Sequence, residues 1–203
     1  MHRSTAWMAV LSAAALAGSA ALVGVAAPRA EAAAPAAAPA WTVDKAASKI
    51  RFKSSFAGTA FEGGFSRWDA KINFDPKNLA GSKAVVTIDL ASVATGDADR
   101  DQTLPTADWF NTAKFPRATF TTTGFRALGG NRYQANGTLT LKGTSRPVTL
   151  PFTLAIQGDT ARVTGQATLN RSQFKVGQGQ FAGADTVPFE VTVPIVLVAK
   201  RAK

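Results

Sequence analysis

From Lys49 to Phe56 the chain reads Lys-Ile-Arg-Phe-Lys-Ser-Ser-Phe, and apolar and basic residues alternate with a period of two. A strand sends successive side chains to opposite faces, so this pattern gives one wet face and one buried face. Seven further runs carry strand signals of the same kind. Residues 61–74 place Phe61, Phe65, Trp68, Ile72 and Phe74 in sequence, and residues 84–90 put Val86, Ile88 and Leu90 on one face. Residues 118–125 are rich in Thr and Phe, both good strand formers. The remaining runs are 133–141, 148–156, 161–169 and 187–198. Turn signals separate them at Asp75-Pro76-Lys77-Asn78, Gly129-Gly130-Asn131, Lys142-Gly143-Thr144-Ser145 and Gly158-Asp159. Eight antiparallel strands with one buried face close naturally into an all-β, up-and-down barrel, which leaves no exposed edge. A two-sheet sandwich is the structural alternative. Pro151, Pro188 and Pro194 fall inside these runs and point to bends, bulges or unpaired positions.

Residues 95–120, TGDADRDQTLPTADWFNTAKFPRATF, fit neither strand nor linker. A linker is polar throughout. Here Asp97, Asp99, Arg100 and Asp101 come first, and Leu104, Trp109, Phe110, Phe115 and Phe120 follow. The segment is expected to close one end of the barrel as a lid. Its charged half would face its own backbone and water, and its aromatic half would plug or line the mouth.

Residues 1–32 have the layout of a secretory signal peptide. Arg3 supplies a positive start, residues 8–27 are almost entirely Ala, Leu, Val, Met and Gly, and Val25-Ala26-Ala27 and Ala30-Glu31-Ala32 are candidate cleavage sites. A membrane anchor is the alternative, since the apolar run approaches spanning length. The abundant Ala and Gly, with Pro28, Pro35 and Pro39 close behind, favour export and a periplasmic or secreted location. Residues 33–40, AAPAAAPA, read as a disordered spacer, and residues 41–203 suffice for one domain with a sizeable core. The chain has no Cys, so that core must hold the fold without disulfides. Its net charge is +10, but the longest basic run is Lys200-Arg201. That describes a solvated basic surface rather than the clustered one nucleic acid requires, and it permits transient contact with anionic lipid headgroups.

The single His is His2, inside the leader. Residues 41–203 therefore contain neither His nor Cys, which removes Ser–His and Cys–His nucleophiles and any His- or Cys-ligated metal. Glu62 and Glu190 are the domain's only glutamates, and no spacing pairs them. No catalytic residue, metal ligand or cofactor is expected; an enzyme using carboxylates or Lys is the less favoured alternative. Asp97-x-Asp99-x-Asp101 resembles the start of a calcium loop, but Gln102 stands where that loop needs Gly and Asp108 where it needs Glu. These aspartates are expected to cap backbone N–H groups or pair with Arg100. Gly177-Gln178-Gly179-Gln180-Phe181-Ala182 has the letters of a dinucleotide fingerprint without its strand–helix setting, and reads as a turn.

The aromatics are the positive evidence. Phe52, Phe56, Phe61, Phe65, Trp68, Phe74, Trp109, Phe110, Phe115, Phe120, Phe125 and Phe152 either fill a core or in part line a cavity for a long apolar ligand. At about 0.3 kcal/mol per heavy atom, a ~20-carbon chain gives roughly 6 kcal/mol and a ~40-carbon chain roughly 12. The first is about tens of micromolar and the second near nanomolar. A lipid held tightly without a charged anchor should therefore be long.

In order along the chain, Phe74-Asp75-Pro76, Thr95-Gly96-Asp97, Arg100-Asp101, Asp108-Trp109-Phe110 and Phe115-Pro116-Arg117-Ala118-Thr119-Phe120 form a recognisable series. It continues through Gly137-Thr138-Leu139-Thr140-Leu141-Lys142-Gly143, Pro147-Val148-Thr149-Leu150 and Asn170-Arg171-Ser172-Gln173-Phe174. Across residues 41–203 the chain thus resembles the YceI family, exported lipocalin-like barrels associated with polyisoprenoid binding. The resemblance implies an eight-stranded antiparallel barrel with a short helical lid and a long isoprenoid, such as a quinone tail, as its ligand. For a lipid carrier of this kind the cavity is expected to be lined by Phe52, Phe65, Trp68, Ile72, Trp109, Phe110, Phe120 and Leu139, with Asp97, Arg100 and Asp101 bracing the lid. A homodimer is compatible with this reading. The family often carries His in its first strand and after the Arg-Asp pair; here those places read Ser54-Ser55-Phe56 and Gln102, so a headgroup contact through His is absent. Gln173-Phe174 also replaces the more usual Asp-Phe. A stress-related interaction module with a filled core and no ligand is the rival on the same fold.

Overall fold

The computed structural model describes residues 37–202. The expected leader and residues 33–36 of the expected spacer lie outside the described residues. The rest of that spacer is not disordered. Ala38 is buried and donates to the Gly81 carbonyl, its own carbonyl accepts from Asn73 Nδ2, and the Phe74 N–H donates to the Pro39 carbonyl. Neighbouring segments satisfy the backbone of these small residues, and that orders them.

Eleven strand segments form one antiparallel sheet. They are β1 (Ala40–Val43), β2 (Lys49–Phe56), β3 (Thr59–Phe65), β4 (Trp68–Asn73), β5 (Lys83–Asp89), β6 (Val93–Ala94), β7 (Arg117–Gly129), β8 (Arg132–Leu141), β9 (Thr144–Gln157), β10 (Thr160–Asn170) and β11 (Glu190–Arg201). They amount to eight strands, because β1 continues as β2, β3 as β4 and β5 as β6. Each strand pairs with the next in sequence, and β11 returns to pair with both β1 and β2. The result is a closed antiparallel up-and-down barrel.

The three interruptions lie on neighbouring strands, at residues 44–48, 66–67 and 90–92. Side chains take over the missing ladder bonds. Val198 N–H donates to Ser48 Oγ (2.9 Å) and Arg67 N–H to Ser92 Oγ (3.0 Å). The Asp89 carboxylate accepts from the Ala91 N–H and so caps a 3-10 turn over Leu90–Ser92. Two hairpins turn in two residues with positive φ at both positions: Ala57 (47°) with Gly58 (82°), and Lys142 (48°) with Gly143 (72°). That geometry matches the right-handed twist of the flanking strands.

One expectation needs correction. The last strand starts at Glu190 rather than 187, and Val187 is buried in the preceding loop. Pro151 and Pro194 pair on one side only, as expected: they sit opposite Gln134 and Gln166, but the β9–β10 pairing stops at Phe152 and the β11–β2 pairing skips Val193 and Pro194. A Pro removes one donor but accepts an extended backbone. Register shifts occur in β7, between Thr122 and Gly124 and between Ala127 and Gly129.

Two apolar clusters occupy the interior. One gathers Trp41, Phe74, Phe152 and Leu154, with Phe125 and Tyr133 against them. The other gathers Phe52, Leu90, Leu104, Trp109, Phe110, Phe174, Val176 and Val187.

Candidate ligand-binding cavity

Alternation turns one side of every strand inward. From β2 come Ile50, Phe52 and Ser54, from β5 Ala84, Val86 and Ile88, and from β11 Val191, Val193, Ile195 and Leu197. They line a cavity of about 280 Å³ that reaches from Trp41, Phe74 and Phe152 in one cluster to Leu104, Trp109 and Phe110 in the other. That volume stands at the lower edge of the range for small-molecule sites. The polar side chains in its wall are Ser54, Thr122 and Arg171. Thr122 Oγ1 is engaged with the backbone of Ala84. Ser54 Oγ and Trp109 Nε1 are the buried side-chain polar atoms without a hydrogen-bond partner among the described residues.

Arg171 is 4 % exposed and pairs with no carboxylate among the described residues. Its five N–H donors reach five backbone carbonyls. Nε donates to Pro188, Nη1 to Val176 and Gly177, and Nη2 to Gly183 and Val187, at 2.6–3.0 Å. Its guanidinium also stands 5.8 Å from the Trp109 ring centroid. Burial lowers its pKa from the usual value. The residue thus fastens the loop between β10 and β11 across the mouth. In the sequence, it stands between inward-facing Leu169 and buried Phe174, within the Asn170–Phe174 run that carries the family resemblance.

The segment 95–120 divides as its composition suggests. Helix α1 spans Ala98–Thr103; Asp97 is its N-cap and accepts from the Arg100 N–H (2.9 Å). Asp101 Oδ1 accepts from the Thr95 N–H (2.7 Å) and hydroxyl (2.6 Å), and Arg100 Nε donates to Thr95 Oγ1 (3.1 Å). Arg100 also pairs with Asp97 and lies 4.2 Å from the Phe61 ring centroid. These three side chains therefore tie the lid to its own backbone and to β3. Downstream, Leu104, Trp109 and Phe110 are buried in the cluster at this end. The Asp108 carbonyl accepts from the N–H groups of Gly177 and Gln178 and from Lys142 Nζ, which stitches the lid to the loop that Arg171 holds. Phe115 packs on Gly143 rather than entering the cavity.

Of the eight residues expected in the wall, Phe52, Phe65, Ile72, Trp109, Phe110, Phe120 and Leu139 face the one cavity. Trp68 does not. It is buried, but it follows the Ser66-Arg67 break, where pairing passes from β2 to β1. There the Lys45 ammonium lies 5.3 Å from its ring centroid and donates to its carbonyl and to Asp69.

Known proteins share this fold. BcnA from Burkholderia cenocepacia superposes with a TM-score of 0.75 at 36% identity, covering 78% of this chain and 99% of that one. A YceI protein from Campylobacter jejuni gives 0.59 at 27%, covering 70% and 85%. A polyisoprenoid-binding domain from Saccharophagus degradans gives 0.64 at 19%, covering 81% and 99%, a likeness of fold alone. Protein YceI of Escherichia coli O157:H7 is 46% identical over 97 residues, which are 48% of this chain and 50% of that protein. The chain thus spans about half the length of the curated relatives it matches. A family model described as the YceI-like domain matches residues 41–199, in register with the barrel, and the chain belongs to the YceI family.

Proposed function

We propose that the protein is an exported lipid-binding or carrier protein that holds a long isoprenoid chain, of quinone type, inside the barrel. The observation that carries this reading is the cavity itself: a space drawn out between two aromatic clusters, walled almost entirely by hydrocarbon. A slender apolar chain suits such a space, and a compact polar metabolite does not. Family membership supports it, as does the fold shared with a polyisoprenoid-binding domain. Phe56, 46% exposed at the tip of the β2–β3 hairpin, sits beside Phe181 at the lid end and offers a point of transient contact with a bilayer. The chain's net positive charge favours such contact with anionic headgroups.

Native mass spectrometry of the purified protein, followed by organic extraction and lipid mass analysis, tests the reading. A co-purified isoprenoid of defined length is the expected result. A protein mass without lipid, joined to no melting-temperature shift with long-chain quinones, would replace the reading with the filled-core interaction module. Trp109→Ala should weaken ligand retention by opening the mouth; unchanged retention would remove Trp109 from the lid's role.

A further inference from the structure

We propose that the Trp109 indole N–H and the Ser54 hydroxyl form a headgroup seat for an uncharged acceptor oxygen. On this assignment, which rests on the isoprenoid reading above, the ligand is an isoprenoid quinone or prenol lying with its headgroup inside the barrel under the lid. An isoprenoid diphosphate is disfavoured.

Buried polar groups are nearly always hydrogen-bonded, so an orphan in a cavity wall marks a place where a ligand completes the count. Two such atoms occur among the described residues, and both belong to this one wall. They also belong to the same end. Ser54 lies between Phe52 and Phe56 on the inward side of β2. Phe52 shares a cluster with Trp109. Phe56 is 6.4 Å from the Phe181 centroid, and Phe181 is 5.2 Å from that of Trp109. The opposite end offers no such seat, because Trp41 Nε1 already donates to the Phe74 carbonyl (2.9 Å). The wall is therefore polar-competent at the lid and hydrocarbon toward Trp41, which sets the direction of the bound chain.

The charge of the headgroup follows from the cations nearby. An indole N–H only donates, and a hydroxyl can donate, so both suit a carbonyl or hydroxyl oxygen. A buried phosphate would need a cation with donors to spare. Arg171 is the cation in the wall, and its five N–H groups are all spent on backbone carbonyls. Neither Arg100 nor Lys142 stands in the wall: Arg100 is turned to Asp97 and Thr95, and Lys142 to the carbonyls of Asp108 and Lys175. Arg171 still places positive charge 5.8 Å from the Trp109 ring, a field that favours the negative end of a carbonyl or hydroxyl dipole.

The test uses the full-length protein and four probes with one chain of about 40 carbons: the quinone, the prenol, the diphosphate and a headgroup-free polyprene. Affinities are measured for wild type, Trp109→Phe and Ser54→Ala, with melting curves to confirm folding. Wild type should prefer quinone and prenol to diphosphate by about tenfold or more. Trp109→Phe keeps a ring and deletes the donor. It should weaken quinone and prenol about tenfold, the worth of one neutral hydrogen bond, and leave the polyprene within about twofold. Ser54→Ala should act in the same direction, and carries the test if Trp109→Phe unfolds the lid. Equal loss for the polyprene, no loss for the quinone, or diphosphate binding as tightly as quinone would overturn the seat while leaving the isoprenoid reading standing. Failure of every isoprenoid to bind wild type would overturn both.

Discussion

Arg171 is the residue whose removal should be felt most widely. The guanidinium carries five N–H donors, and five backbone carbonyls from Val176 to Pro188 receive them. Arg171→Met would leave those carbonyls without their donor, at about 1–3 kcal/mol for each that stays dry. Against this stands the relief of no longer burying a charge, itself several kcal/mol. The net expectation is a loss of about 4 kcal/mol, similar to breaking a buried charged network. For a domain of this size that is a fall of about 8–16 °C in melting temperature. Arg171→Lys keeps the charge but has three donors for five carbonyls, so it should fall between wild type and Arg171→Met. Denaturant unfolding would measure the stability, and amide exchange across residues 175–188 would locate the loosening. A Lys variant as stable as wild type would show that charge rather than hydrogen-bond count holds the loop. A Met variant as stable as wild type would refute the argument altogether.

Other perturbations test other parts of the structure. Gly137→Ala would place a Cβ 2.6 Å from the Phe120 ring and 2.6 Å from the Thr121 carbonyl, and should cost about 2 kcal/mol in thermal unfolding. Phe65→Ala, at the wall between Phe52 and Phe110, should reduce lipid binding while costing less than the roughly 3–5 kcal/mol of a filled-core Phe deletion; the full cost with unchanged binding would favour a filled core. A pH series of melting temperatures should show stability falling only in acid. Glu62 lies below its ordinary 4.5 because Lys53 hydrogen-bonds its carboxylate, and Asp69 and Asp89 lie below 3.8 through Lys45 and Arg67. Folded values below the unfolded ones mean that this stability is complete above the ordinary values and lost as pH falls through the lowered ones. The groups are exposed, so the effect should be small and shrink with salt. A loss centred near neutral pH would contradict it.

Local signals in the sequence were enough for the architecture. A period of two, eight times over with turn residues between, leaves few folds other than a closed barrel, because each strand must bury one face and pair both edges. The lid was legible for the same kind of reason, since charge at its start and aromatics at its end dictate which half turns inward. The lack of His and Cys after His2 likewise bounds the chemistry without any coordinates. Other features depended on residues far apart in the chain. The return of β11 to both β1 and β2, the three side-by-side interruptions and the ordered Ala38 come from pairings across the whole domain. Trp68 follows the inward alternation of its run, yet a strand break and Lys45 give it another environment. Arg171 looks like a surface cation until its carbonyl partners are counted, and Ser54 and Trp109 look ordinary until they are found to have none. Periodicity records which face a side chain takes, whereas hydrogen-bond accounting needs every neighbour in place, so the sequence determined the barrel and only its closure decided the polarity of what lies inside.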